Sequence, residues 1–283
     1  VATAQGLGAT ANAPVVVQVG PGLFDMGTSA LNLSVMSGIT IRGSGREGTI
    51  LTTAVSGGEA ILMGRDNTVS DLSVRNTEGD GHAIKVNSLV GERGAFGDES
   101  VPRLFNVRAE LQGTANLDSK VIFAVNDVLI ENSVVVNNTA GTGNNFGVVA
   151  QSEGGGVADP QVRVKSSTIH VSSSGTGSRY GVFAGGGATV RLYSGYVESG
   201  DGGTATDFGL YAEDASTTVE AYNTHVAAHT YLATNNDGAQ MLMLTGLVEG
   251  TQAQHATSCV TVRRTDTGSA GWGLTNADCS PNP

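Results

Sequence analysis

Between residues 128 and 232 one short pattern comes round four times. The copies begin Val128-Leu129-Ile130-Glu131-Asn132-Ser133, Val162-Arg163-Val164-Lys165-Ser166-Ser167, Val190-Arg191-Leu192-Tyr193-Ser194-Gly195 and Val219-Glu220-Ala221-Tyr222-Asn223-Thr224. Each is an alternating apolar run, a small polar residue and a second run ending on Val135, Ile169, Val197 or Val226. From Asn132 to Ser166, Ser194 and Asn223 the register steps by 34, 28 and 29 residues. A second signature lies between copies: Phe146-Gly147-Val148-Val149-Ala150, Tyr180-Gly181-Val182-Phe183-Ala184 and Phe208-Gly209-Leu210-Tyr211-Ala212. A fixed period in this range marks a solenoid. The apolar alternation has period two, not 3.6, so each unit is made of strands and turns. The reading is an all-β solenoid.

Composition agrees. The 283 residues include 41 glycines and only 14% charged residues, with Val, Ile and Leu recurring throughout. That describes a folded, turn-rich chain, because disordered chains combine low apolar content with high charge. Aromatic residues make up only 5%, enough for thin stacked layers of aliphatic side chains. Net charge is −11, with three lysines at Lys85, Lys120 and Lys165. Nucleic acid and anionic membranes are therefore poor partners, since a phosphate backbone needs clustered Lys or Arg. No stretch approaches a membrane span.

Cys259 and Cys279 stand 20 residues apart near the C-terminus. In an acidic chain rich in Ser, Thr and Gly they read as one disulfide, and two free thiols are the alternative. A loop of that length contributes about 3 kcal/mol in the chain-entropy model. Two isolated cysteines do not complete a zinc site. A charged and apolar signal segment is not found at Val1, so the expectation is a mature secreted or cell-surface protein after leader removal.

Ahead of the repeats, residues 1–13 are small and suit a short cap over the first coil, whose strand edge would otherwise lie open. Then come Val15–Val19, a Gly20-Pro21-Gly22 turn followed by Leu23-Phe24-Asp25, Ala30–Leu33, Ile39-Thr40-Ile41-Arg42-Gly43-Ser44-Gly45 and Thr49-Ile50-Leu51. This order resembles the N-terminal coils of right-handed parallel β-helix proteins, the superfamily of pectate lyases, pectin esterases and phage tailspikes. More narrowly, the chain is similar to secreted bacterial β-helix proteins of unknown role, with Tyr-Gly-Ile/Val-Tyr repeats and a C-terminal cysteine pair. The Tyr180, Phe208 and Cys259/Cys279 segments match that description. The resemblance implies a right-handed winding, which the crossover rule also favours. Residues 1–250 are expected to form the β-helix with its N-terminal cap, and 251–283 a C-terminal cap holding the disulfide. About 28 residues per coil would make roughly nine coils, about 40 Å long at one strand spacing each. Met241–Leu247 supplies the last strand pair, and Gly91–Pro102 reads as a loop thrown out of one coil.

Stacking lines up equivalent residues in ladders. Ile130/Val164/Leu192/Ala221 and Val135/Ile169/Val197/Val226 should point inward. Asn132, Ser166, Ser194 and Asn223 fall where the chain bends, a structural place for polar residues. Alternation then turns Tyr193, Tyr196, Tyr222 and His225 outward on neighbouring coils. They form either a carbohydrate platform or aromatic pairs that simply pack along a ladder. Val149, Phe183 and Tyr211 make a third outward row, read as a self-association face or a face covered by the protein's own loops.

The densest titratable cluster is Glu78, Asp80, His82 and Lys85, with Asp98, Glu99 and Arg103 one coil later. Were the protein an enzyme, Glu78, Asp80, His82 and Arg103 would supply its acid, base and cationic groups. No Asp-Asp pair occurs, and Gly81-His82-Ala83 only partly echoes the Gly-His-Gly of polygalacturonases. No metal site or cofactor is assigned. Ca²⁺ is the one ion the acidic turns would admit, at Glu78–Asp80 or between Asp201 and Asp207. Two functions stand side by side. One is a non-enzymatic extracellular surface, fibre or adhesion module binding glycan or copies of itself; the other is a polysaccharide lyase or glycoside hydrolase.

Overall fold

The alternating runs become short strands, three to a coil, and polar or glycine residues turn the corners. In the computed structural model Gln161–Lys165, Thr168–Val171 and Arg179–Gly185 make one coil, and Thr189–Tyr193, Tyr196–Ser199 and Asp207–Ala212 the next. The structure describes residues 7–10, 13–35, 37–87, 101–152, 159–200, 205–235 and 237–249, together with the strands 252–254, 257–260, 263–265 and 272–274. Each strand pairs in parallel with its equivalent one coil on: Val162 with Val190, Ile169 with Val197, Val182 with Leu210. The chain is a right-handed parallel β-helix with three faces, and no helix occurs among the described residues. The first two faces form one nineteen-stranded sheet, because Thr68–Asn76 and Arg103–Ala115 run through the corner between them. The third face is a separate sheet of nine strands.

Both predicted inward ladders are buried. Ile130, Val164, Leu192 and Ala221 are at most 2% exposed, and Val135, Ile169, Val197 and Val226 at most 1%. They belong to one continuous aliphatic core running from Leu33 to Val248. The bend between the first two faces is made by one left-handed residue per coil. Asn132, Ser166, Ser194 and Asn223 have φ of 50°, 46°, 52° and 47°, and Asp71, Asn106 and Thr245 extend the row. Asn and Asp tolerate that region because their side chains hydrogen-bond locally. Asn106 Nδ2 donates to Asp71 Oδ1 across coils at 2.8 Å.

The next residue at this corner adds a hydroxyl ladder. Ser133, Ser167 and Thr224 each donate to the carbonyl two residues back, at 2.7–3.0 Å. The Ser167 hydroxyl also accepts from the Ser133 N–H at 3.0 Å. Turning backbone groups that no sheet can pair are thereby satisfied.

Inside the corner between the second and third faces the core is polar. Asn137, fully buried, donates to the Phe146 carbonyl at 3.0 Å and to Ser119 Oγ at 3.0 Å. One register row runs Ser119, Asn145, Arg179, Asp207. Arg179 and Asp207 are 1% and 0% exposed and form an ion pair. Asp207 therefore faces the interior rather than a surface cation site, correcting the expectation that placed it beside Asp201 in the turn.

At the N-terminal end Val15–Gln18 and Gly22–Asp25 are the first strands, Ala9 packs against the core and Thr10 bridges Ala13. Towards the C-terminus Met241–Leu247 is not the last strand pair. Thr257–Val260 pairs with Gln240–Leu244, and Arg263–Thr265 with Leu247–Glu249. Trp272–Leu274 then turns back antiparallel on Arg263–Thr265. The Cys259–Cys279 pairing, Asp98, Glu99 and Asp201 fall outside the described residues or side chains.

Candidate functional site

The third face carries a feature that strict alternation does not foresee. In each Phe/Tyr-Gly-Val segment the ladder pairs Phe146 with Tyr180 and then Val148 with Val182, so the glycine adds an extra residue to the repeat. Val148 lies in the core. A Cβ on Gly147 would stand 2.4 Å from Ile169 Cγ2, and one on Gly181 2.4 Å from Val197 Cγ1. Two successive residues thus face inward, and at Gly147 and Gly181 only glycine fits the first place, which Ala83 and Val121 fill on earlier coils. Outward positions consequently fall three residues apart, at Phe146 and Val149, Tyr180 and Phe183, Phe208 and Tyr211.

Two aromatic rows run side by side along the outer surface as a result. Phe146, Tyr180, Phe208 and Tyr231 are stacked, with centroids 4.6, 4.8 and 5.3 Å apart. Phe183 and Tyr211 form the second row at 5.4 Å, with nearly parallel planes. Planes of the two rows cross at 75–87°, the edge-to-face contact that ring quadrupoles favour. Phe123, Val125, Phe146 and Val149 are buried beneath and beside these rings as a second apolar cluster outside the coil.

A groove of about 230 Å³ follows the rows. Phe146, Val149, Tyr180, Phe183 and Tyr211 make its apolar wall, and Asp118, Lys120, Asn144, Gln151 and Glu213 its polar rim. From the coil of Lys120 to that of Glu213 it extends three strand spacings, about 14 Å. Burial, followed by Asp214 and Asp237, raises the Glu213 carboxyl above the usual carboxylate range. Burial likewise raises the Tyr180 phenol, aided by Tyr211, Asp118 and Glu213 and opposed by a hydrogen bond with Ser178. Both groups are thus drawn out of bulk water.

The row Val149, Phe183, Tyr211 has the predicted register and points outward. Val149 nevertheless has no exposed surface, since the second apolar cluster closes over it. It offers nothing to a second copy, which corrects its place in a self-association stripe. Phe183 and Tyr211 remain half-buried and accessible. Strict alternation does not reveal the Phe146/Tyr180/Phe208/Tyr231 row, although the first three of its residues head the repeated signature. The signal that points to it is the glycine after Phe146, Tyr180 and Phe208.

The Tyr193, Tyr196, Tyr222 and His225 set divides into two pairs on either side of the Ser194/Asn223 bend. Tyr193 stacks on Tyr222 at 5.1 Å and 7°, and Tyr196 meets His225 edge-on at 4.8 Å. One face of each stacked ring is thereby taken up by its neighbour. Tyr222 donates to Glu220 at 3.1 Å. Burial first, then Glu198, pushes the Tyr196 phenol up to about 12. His170, beside it, contacts Glu198 at 2.9 Å.

Glu78, Asp80, His82 and Arg103 are not gathered into one place. Arg103 opens a strand of the first face, paired with Thr68 and Leu129. His82 belongs to the third, in register with Glu59 and Lys120. Asp80 accepts the N–H groups of Asn116 and Leu117 at 2.7 and 2.8 Å, which makes it a turn cap. Glu78 is exposed on the same turn. Among the described residues no group of three or more His, Cys, Asp or Glu is arranged to hold a metal ion.

No protein-family model and no curated protein matches the chain. Solved structures with a similar winding include pectin methylesterase from carrot, at 11% identity and TM-score 0.45, covering 91% of this chain and 75% of that one. Pectin methylesterase PemA from Erwinia chrysanthemi has 10% identity and TM-score 0.44, with 91% and 76% covered. Tailspike protein 2 from Escherichia coli O157:H7 bacteriophage CAB120 has 10% identity and TM-score 0.46; 93% of this chain spans only 40% of that one. Likeness at this level says nothing of the chain's chemistry.

Proposed function

We propose that this protein is an extracellular β-helix that binds glycan along the groove of its third face. The carrying observation is the pair of perpendicular aromatic rows inside a rim of carboxylate, amide and ammonium groups. A sugar presents C–H surfaces that rest on aromatic rings, and hydroxyls that need donors and acceptors beside them. The reading is one of binding rather than turnover, in keeping with Arg103 and His82 lying on different faces. The tyrosine pairs at the Ser194/Asn223 bend are the competing sugar contact, and half-buried Phe183 and Tyr211 would equally serve a contact between copies.

Two variants separate these readings. Tyr211→Ala should weaken retention on a panel of immobilised neutral and acidic polysaccharides at least tenfold, while Tyr193→Ala with Tyr222→Ala leaves it intact. The reverse pattern would move the site to the bend. Retention on nothing, with concentration-dependent sedimentation abolished by Tyr211→Ala, would make the groove a self-association face.

A further inference from the structure

One margin of the groove is a carboxyl laid across a glycine. Glu213 follows Ala212, whose partner one coil back is Ala184, so it stands directly beyond Gly185. A Cβ on Gly185 would lie 3.1 Å from Glu213 Oε1 and 3.3 Å from Phe183 Cε1. The bare backbone of Gly185 therefore lets the carboxyl fold back beside the Phe183 ring, where Glu213, Phe183 and Tyr211 line the groove together.

No cation answers this carboxyl. Among the described residues Glu110, Glu131 and Glu220 each meet a Lys or Arg, whereas none forms an ion pair with Glu213. The influences on it all run in one sense, burial first and then Asp214 and Asp237. Asp214 accepts the Gly186 N–H at 2.8 Å, and of the three acids only Glu213 lines the groove. Lys120 stands three coils away, about 14 Å along the rod, which is beyond the screening length of physiological salt. Glu213 is thus a half-buried carboxyl among aromatic rings, with no partner for its charge.

We propose that Glu213, with Phe183 and Tyr211, forms an ammonium subsite for one amino sugar carrying a free amine, and that neutral sugars follow along the rows towards Phe146. The inference rests on the glycan reading above and names the class of sugar. An ammonium donates charge-assisted hydrogen bonds to a carboxylate, and aromatic rings beside it add their own attraction for a cation. An N-acetylated amine carries no charge to do either, and a uronate would meet Glu213 with like charge.

The test is calorimetry at pH 6.5 with matched sets of trisaccharides in several linkages. Each set holds the neutral sugar, its analogue with a 2-amino-2-deoxy residue at either terminus, and the N-acetylated form of that analogue. In the linkage that binds, the free-amine probe should bind about tenfold more tightly than the neutral and N-acetylated ones. Glu213→Gln should bring that ratio to about one. Glu47→Gln removes the same charge from an exposed turn outside the groove and should preserve it. Gly185→Ala, whose Cβ would crowd the carboxyl off its seat, should cut the ratio several-fold, and an unchanged ratio in either groove variant would overturn the proposal. Equal affinity for the neutral and free-amine probes in the wild type would refute the subsite and leave the glycan reading standing. A lysine-containing tripeptide binding as tightly as the amino probe would refute the assignment to a sugar. Binding of none of the trisaccharides would remove the glycan reading and this one with it.

Discussion

Ser166 is an exposed serine in left-handed backbone, at φ 46°, where its equivalents are Asn132 and Asn223. A side chain without local hydrogen bonding costs about 1–2 kcal/mol in that region, and a β-branched one is worse placed still. Ser166→Val should lower unfolding stability by about 2 kcal/mol, while Ser166→Asn should hold or slightly raise it. Urea midpoints of the two variants decide the matter; equal midpoints would mean that the corner relaxes. His82 supports a second residue-level prediction. Its folded pKa of about 4 lies below the ordinary 6.5, so between those values the unfolded chain binds the extra proton. Its contribution is complete above pH 6.5 and is lost progressively as pH falls towards 4. From pH 7 to pH 5 the wild type should lose up to about 2 kcal/mol more than His82→Gln. Parallel stability curves for the two proteins would show that His82 takes up its proton as readily folded as unfolded.

At the scale of the element, the third-face strand is where backbone and side-chain requirements meet most tightly. Its first residue points into the polar corner, as Asn145, Arg179 or Asp207, all at most 1% exposed. Its second is the outward ring and its third the glycine that adds the extra residue. The Arg179–Asp207 pair also engages the Ser173 carbonyl through Arg179, so each charge leaves water only in the company of the other. Asp207→Asn should destabilise the fold by about 3–5 kcal/mol by stranding the guanidinium, whereas replacing both, with Arg179→Met and Asp207→Leu, should recover most of that loss. Denaturant unfolding of the single and double variants measures the difference; equal losses would mean that the site needs polarity, not charge balance. The two inward residues in succession set the neighbouring aromatic rows, and at Gly147 and Gly181 that geometry leaves room for glycine alone. Without the inward turn of Gly147 and Gly181, strict alternation would set outward side chains two residues apart along the strand, and the rings would not meet edge to face.

Across the whole molecule the faces divide their labour by charge. On the first two faces cationic groups meet carboxylates, mostly across coils. Arg75 and Arg108 contact Glu110 at 3.2 and 3.3 Å, Lys165 contacts Glu131 at 3.3 Å and Arg191 contacts Glu220 at 2.6 Å. Gln112, Arg75 and Arg108 hold the Glu110 carboxyl below its ordinary range against the opposing effect of burial. These ladders neutralise those surfaces from within. The third face carries the aromatic groove, with Lys85 and Lys120 also lying over the Phe123 ring.

The repeat at 128–232 by itself determined the coil. A period-two alternation recurring every 28–34 residues has few ways to bury its apolar residues other than by stacking in parallel, and the inward ladders and polar bend could be read directly from it. The polarity of the bend was legible too, because left-handed backbone admits few residue types. Tertiary structure alone decided the functional surface. The extra residue at Gly147 and Gly181 shifts every outward position before it by one, so the Phe146, Tyr180, Phe208 and Tyr231 row came to light only when strand register was known. Burial of Val149 depends on rings from other coils, and the separation of Arg103 from His82 depends on which face each strand occupies. Such facts belong to contacts between residues distant in the chain, about which a one-dimensional pattern is silent.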